Sequence, residues 1–481
     1  MSILEQYEPK EALQYFEELA SIPHGSGNVK AVSDYCVAFG KEHNLEVHQD
    51  ELYNVIMAKD ATPGYEDVEP IIIQGHLDMV CEKTLDSNID FLTDGLDLQT
   101  DGEWVWANGT TLGGDDGIAI AFALAILASD TLQHPRIETI FTVDEEIGLL
   151  GAAAIDLSVL KGKKMINIDS EEEGIITVSC AGGLSLEGKI PMEFKEKEGV
   201  CVEVAVTGML GGHSGCEIHK EHGNSNLIMG RTLYEVGKTV PFRVVTMAGG
   251  SKDNAIPRHT TATVLVKNSD ADAFEKAVQE QSAILAHEYA SSDPDMKVIC
   301  EVKGNETRKV LKKSSQKMLL NALMNLPNGV QHWSMDIPGL VETSLNMGVM
   351  ILDENQLSLR YAVRSSKMSA MNYLSDRTVA MIEQMGGSCE ISGAYPGWEY
   401  KKDSKLRDTF VSAYEELFGE KPKVEAIHAG LECGLLSDKI EGLDCVSIGP
   451  DMKDVHTYTE KLNIPSTKRT WDLVVKVIGT K

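Results

Sequence analysis

Positive charge is scarce in this chain. Lys and Arg number 44 against 74 Asp and Glu, a formal charge of −30 over 481 residues. So acidic a surface repels phosphate backbones and anionic lipid, so neither nucleic acid nor a membrane is an expected partner. Long apolar runs are missing as well: the longest, 118–128, has eleven residues and is too short to span a bilayer. The opening stretch, MSILEQYEPKEALQYF, is acidic and amphipathic. It has no basic segment followed by an apolar one, so no secretory leader is expected. Cysteine occurs nine times but never as C-x-x-C. An odd, dispersed set reads as reduced thiols in the cytoplasm and argues against a thiolate metal site. Internal repeats and low-complexity tracts are also lacking.

What is present is a globular composition, 42% hydrophobic and 25% charged. The length suggests roughly two or three domains. Up to about residue 184, short β-rich runs (71–75, 137–143, 165–168) alternate with helical patterns (10–20, 29–43, 116–129), which predicts an α/β layer. Between 185 and 394 the pattern is α+β. Alternating segments at 199–208, 259–267 and 349–366 read as antiparallel strands, with helices at 223–237, 270–291 and 367–385. After 395 the first character returns, with helices at 404–418 and 465–478 and a strand at 445–449. The expected arrangement is an α/β domain from 1–184 and 395–481, interrupted by a second domain at 185–394. Consecutive domains are the alternative.

The chemistry-bearing residues follow the predicted strands. His76 and Asp78 follow IIIQG. Asp115 and Asp116 sit in GGDDG before the apolar helix. Glu145 and Glu146 follow IETIFTV, Asp169 follows MINI, and His456 lies in DVHTYTE beyond CVSIG. Ligands of α/β sheets bind outside the carboxyl ends of strands. Two histidines and three carboxylates suit zinc, cobalt or manganese, and serve two ions if one carboxylate bridges. Asp115, on a glycine-flanked turn, is the natural bridge. Two such ions, about 3.5–4 Å apart, clamp a water or hydroxide and polarise a carbonyl. Glu145 is the candidate base for that water, and Asp78 the candidate partner of the His76 ring. Taken singly, each has a plainer reading: Asp115 and Asp116 as helix caps, Glu145–Glu146 and DSEEE as solvated charge. GGDDG lacks the Lys-Ser/Thr of a phosphate loop, and no G-x-S-x-G surrounds Ser214.

The motifs QGHLDMV, NGTTLGGDDGIA, FTVDEEIGLLGA and NIDSEE resemble those of the di-zinc metallopeptidases, a family that includes carnosinase-like dipeptidases, peptidase T and aminoacylases. AGGLS (181–185), GGHSGCEIH (211–219) and HAGLECG (428–434) are similar to its bacterial branch acting on Xaa-His dipeptides. The resemblance implies a di-zinc exopeptidase-like catalytic domain with an inserted α+β lid and dimerisation domain. It implies that His76 and Asp169 hold one ion, Glu146 and His456 the other, and Asp115 both. Glu145 would be the general base and Asp78 the residue behind the histidine ligand. His213 would stabilise the tetrahedral oxyanion, and Asn254 and Arg364 would hold the substrate's polar end. His428 and Glu432 would shape the pocket. Asp116 or Glu171 would contribute an acidic rim for a substrate amino group. The implied protein is a cytoplasmic homodimer with two divalent ions, zinc foremost, and a small peptide substrate. Its implied reaction is dipeptide hydrolysis by a metal-bridged hydroxide. N-acyl amino acid hydrolysis is the alternative. A metal-dependent protein without hydrolysis is a third reading, disfavoured by the intact Glu145.

Overall fold

The runs IIIQGH and IETIFT form adjacent parallel strands, Ile71–His76 and Ile137–Thr142, with every residue of both buried. A strand covered on both faces favours apolar residues, and the buried polar ones here are partnered: Glu138 accepts from Arg136, Lys161 and Gly162, and Gln74 donates to Glu432. In this computed structural model, which describes residues 2–481, both strands lie in an eight-stranded sheet. Its spatial order is Glu46–Gln49, Val55–Lys59, Ile137–Thr142, Ile71–His76, Lys164–Asn167, Asp444–Ser447, Ile175–Cys180 and Lys423–Ile427. The pairings from Ile137–Thr142 through Asp444–Ser447 are parallel, and the hairpin at one edge is antiparallel. The helix Gly114–Ala128 packs against Ile71–His76 and the helix Lys10–Ala20. It is buried from Ile118 to Leu127, all round and not along a stripe. Each such buried Ile, Leu or Phe contributes about 1.5–3 kcal/mol. Among the described residues no helix is long and apolar enough to cross a membrane.

The chain divides into two units. The first comprises the residues up to Ser179 with Tyr400–Ala426 and Leu431–Lys481; the second comprises Cys180–Glu399 with Ile427–Gly430. These crossings differ from the expected 184/185 and 394/395. The first comes earlier because Gly182 already pairs with Ser365, and Cys180 bridges Trp398. The excursion at 427–430 has no counterpart in the sequence reading. It is tied down by Ala181 N–H donating to Ala429 O at 2.9 Å.

The second unit is a nine-stranded, wholly antiparallel sheet. Lys297–Leu311, Phe194–Thr207, Thr260–Val266, Phe242–Gly249, Val341–Leu352, Gln356–Ser365, Gly182–Pro191 and Ser388–Tyr395 lie side by side, and Gly329–Trp333 pairs with Val341–Leu352. Alternate residues such as Val202, Val204 and Val206 join Met247, Val264 and Leu359 in one core. The helices Ser225–Val236, Ala271–Glu288, Lys313–Asn325 and Met368–Gln384 supply Met229, Phe274, Leu319 and Met371 to it. Asn224 caps the first of these by accepting from the N–H groups of Asn226 and Leu227. The segment 349–366, read as one alternating stretch, is the end of one strand and the whole of another. Asp353 Oδ1 accepts from the N–H groups of Asn355 and Gln356 and turns the chain between them.

Candidate metal centre

Sheet register brings the first unit's candidate ligands together. His76 ends its strand opposite Thr142, and Gln74 lies opposite Asn167. The turns that follow therefore deliver His76, Glu145–Glu146 and Asp169 to one edge. Gly113, at φ 68°, adopts the left-handed conformation that glycine tolerates. Asp115 and Asp116 keep non-helical backbone angles, so the regular helix begins after them. Asp144 (φ 55°) and His456 (φ 65°) are non-glycine residues in the left-handed region, one in each of the two remaining loops.

The distances are short. His76 Nε2 lies 2.9 Å from Asp115 Oδ1 and 3.8 Å from Asp169 Oδ1. His456 Nε2 lies 3.2 Å from Asp115 Oδ2 and 2.9 Å from Glu146 Oε1. Asp115 thus turns one oxygen to each imidazole. Three overlapping triads, His76–Asp116–Asp169, His76–Glu145–Glu146 and Asp115–Glu146–His456, each bring ligand atoms within 4.8 Å of one another. Together they hold five carboxylates against two imidazoles. Burial and that crowding drive Asp116, Glu145 and Asp169 toward the protonated form, and Asp116 Oδ1 is buried without a partner. Burying unbalanced carboxylates is costly. Two divalent cations balance them, and an all-N,O donor set fits zinc, cobalt or manganese.

The electrostatics follow from crowding. Burial disfavours charge on His76, yet Asp115, Asp78 and Asp169 carry its pKa well above 6.5. His456 is raised to about 10 by hydrogen bonds to Asp115 and Glu146. Burial would raise Asp115, but the two histidines hold it below the usual carboxylate range. Burial pushes Glu145 up to about 8; His76 opposes this, and Glu432, Glu146 and Asp115 add to it. Burial, then Asp115 and Asp116, raise Asp169.

Support comes from residues around and beneath the cluster. His76 Nδ1 donates to the Asp78 backbone carbonyl at 2.9 Å, which leaves Nε2 as the ring nitrogen free to take an ion. The Asp78 carboxylate is farther from that nitrogen, at 3.6 Å. Asp78 Oδ1 accepts from Glu145 N–H at 3.0 Å, and Oδ2 accepts from Glu146 N–H at 3.4 Å and from Ser26 Oγ at 2.8 Å. One level below, Glu432 Oε2 accepts from Gln74 Nε2 and Thr142 Oγ1, each at 2.5 Å, and Asn167 Nδ2 donates to Gln74 Oε1 at 2.6 Å. Gln74 and Asn167 each stand two residues before a candidate ligand, on strands whose apolar neighbours hide them as polar partners. Sequence reading also passed over Glu460, whose carboxylate accepts three backbone N–H bonds from 112–114. The bare N–H groups of the glycine pair were the available signal.

The second unit gathers its own polar group. The short strands Gly212–His213 and Ala255–Ile256 pair, and Ser214 N–H donates to Asn254 O at 2.8 Å. His213 and Asn254 are therefore neighbours in space. Asn346 Nδ2 donates to the carbonyls of Asp253 and Ala255, on either side of Asn254. His213 Nδ1 accepts from the N–H groups of Gly215 and Cys216, so the neutral ring carries its proton on Nε2. Burial and then Arg364 lower its pKa and keep it neutral. Arg364 Nη1 donates to Tyr395 Oη at 3.2 Å, and its Nη2 lies 3.5 Å from His213 Nε2. His428 Nε2 pairs with Ser344 Oγ at 2.8 Å. Gly215 is the hub. A Cβ there would lie 2.5 Å from His428 O, 3.0 Å from His213 Cε1 and 3.2 Å from Arg364 Nε.

A mixed α/β sheet with an acid–imidazole cluster at its strand ends, interrupted by an antiparallel α+β unit, is the build of a metallopeptidase. The chain belongs to peptidase family M20/M25/M40, which it matches over residues 72–480. It is 35% identical to the cytosol non-specific dipeptidase of Escherichia coli (strain K12), over 99% of each chain. It shares 36% identity, with a TM-score of 0.93, with the crystal structure of aminoacylhistidine dipeptidase from Vibrio alginolyticus, covering 99% of this chain and 98% of that one. The aminopeptidase PepT of Bacillus cereus shares the fold, at a TM-score of 0.55 and 15% identity over 98% of each chain.

Proposed function

We propose that this chain hydrolyses dipeptides, Xaa-His dipeptides among them, using two divalent cations, zinc foremost and cobalt or manganese as alternatives. Asp115 carries this reading, because its two oxygens face two different imidazoles. His76 and Asp169 would hold one ion, Glu146 and His456 the other, and Asp115 both. Such ions, when bound, polarise a peptide carbonyl and acidify water. The Glu145 carboxylate takes a proton from the attacking water and returns it to the departing amine nitrogen. Asp78 steadies Glu145 through its backbone N–H. His213, with its proton on Nε2, is the donor for the developing oxyanion, and Arg364 and Asn254 hold the substrate carboxylate. Of the two acids expected to meet the substrate's amino group, Asp116 is fully buried with Oδ2 on the His76 backbone N–H, so the exposed Glu171 is the one left to serve it. The second unit takes the role of lid and homodimer contact, on the likeness to the family. A cytoplasmic location is supported by the name of the Escherichia coli relative and by cysteines that form no disulfide among the described residues.

The two relatives of high identity are dipeptidases by name, which favours this reading over N-acyl amino acid hydrolysis. The test is turnover of Ala-His and β-alanyl-His against N-acetyl amino acids, with E145Q alongside. Dipeptide cleavage is expected, falling by about 10²–10⁴-fold in E145Q at unchanged metal content. Cleavage of the acetylated substrates alone, or full activity in E145Q, overturns the reading.

A further inference from the structure

Glu460 has no part in the chemistry above, yet it is among the best-held carboxylates in the first unit. It is 3% exposed. Its Oε2 accepts from the N–H groups of Leu112 at 2.8 Å and Gly113 at 3.2 Å, and its Oε1 from that of Gly114 at 2.8 Å. Three successive N–H groups converge on one anion because Gly113 is left-handed, the geometry of a backbone anion nest. The residue after this nest is Asp115.

The other end of the connection is the loop of His456. Thr457 N–H donates to Asp454 O, and Glu460 N–H donates to Thr457 O, each at 3.1 Å. Two linked turns therefore hold Glu460 at a fixed offset from His456. One carboxylate thus ties the turn that ends in Asp115 to the loop that presents His456, and these two side chains meet at 3.2 Å. The segments lie over 300 residues apart in sequence, and besides the contact of His456 with Asp115 itself the Glu460 bonds to 112–114 tie them together. A hydroxyl or a water can also satisfy N–H groups at a helix start, so a carboxylate brought from the loop of His456 does more than cap: it links two segments.

We propose that Glu460 is a positioning residue that holds Asp115 against His456, so that both close on the ion they share with Glu146. This rests on the di-metal reading. Residues behind the ligands typically change metal affinity by about 10–100-fold when replaced. The E460Q side chain keeps the shape but turns an amide N–H₂ toward backbone donors. G114A disturbs the same contact from the other side, since a Cβ there would lie 3.2 Å from Glu460 Oε1.

The experiment is calorimetric titration of zinc into metal-stripped wild type, E460Q and G114A, with circular dichroism and melting of each metal-free protein. Cobalt absorption spectra at the first and second equivalents report the geometry of each ion. Wild type is expected to take two ions. E460Q is expected to keep one affinity and lose about 10–100-fold in the other, with an altered spectrum only at that equivalent, alongside a modestly lower metal-free melting point from the misdirected amide. G114A is expected to weaken the same ion, and it carries the test if E460Q does not fold. Unchanged affinities for both ions in the variants overturn the proposal, as does a lower metal-free melting point with both affinities intact. A wild type that takes up no second ion overturns the di-metal reading instead.

Discussion

A single side chain can be read by what its neighbours allow it to become. His428 is buried with one polar contact to Ser344, and burial, then Arg364 and His213, push its pKa down to about 3. The ring is neutral in the fold at every ordinary pH. In the unfolded chain it titrates near 6.5. As pH falls through that value, the unfolded state takes up a proton that the folded state refuses. Stability therefore drops between about pH 6.5 and 3, with the sign opposite to that of a histidine held by a carboxylate. From about pH 7.5 to 5 the melting temperature of wild type should decline relative to that of H428N, a difference that separates His428 from Glu145, whose raised pKa acts in the opposite sense. Parallel slopes would show that His428 is not the group responsible. The same scale shows what sequence can reveal. His76, Asp115, Glu146, Asp169 and His456 stand out because each follows an apolar run or a glycine turn. Gln74, Asn167 and Glu460 do not, since a polar residue inside a strand or after a loop acquires meaning only from a partner distant in the chain.

At the scale of elements, turns matter more than strands. The turn 211–216 places His213 through its own backbone: two N–H groups select the tautomer, and a two-residue strand sets the position beside Asn254. Its tolerance is small. In G215A the added methyl would meet His428 O at 2.5 Å and His213 Cε1 at 3.0 Å. Overpacking of this kind costs about 1–3 kcal/mol, and a displaced donor near 1 Å costs about 10²-fold in rate. G215A should lower the melting temperature and reduce dipeptide kcat/KM by about that factor. Wild-type kinetics in G215A would remove the turn from the site. Elements were legible in the sequence where apolar periodicity changes. The hairpin at 353–355 was not, because the alternation of its two strands continues on both sides. The excursion at 427–430 was not, because HAG carries no local mark of the sheet it joins.

For the molecule as a whole, the candidate ligands all belong to the first unit, while the second has a core of its own. Ligand binding stabilises only what binds, by about 2.7 kcal/mol when free ligand is 100 times its Kd. Zinc added to metal-stripped protein should slow amide exchange in Ile71–His76, Ile137–Thr142 and the turns beyond them, and leave Phe194–Thr207 and Thr260–Val266 unchanged. Equal protection in both units would contradict that assignment.

The order of the sheet also bears on how the protein is made. Asp444–Ser447 sits between Lys164–Asn167 and Ile175–Cys180, so the first sheet has a gap that only a late-translated strand can fill. During synthesis the second unit emerges nearly entire before that strand exists, and domains tend to fold in order of emergence. The first unit must wait with one edge of Lys164–Asn167 and both edges of Ile175–Cys180 unpaired, since Lys423–Ile427 is also made late, a state prone to mispairing. His456 arrives still later. A nascent chain therefore passes through an interval in which those edges are exposed and His456, a candidate ligand, has not yet been made.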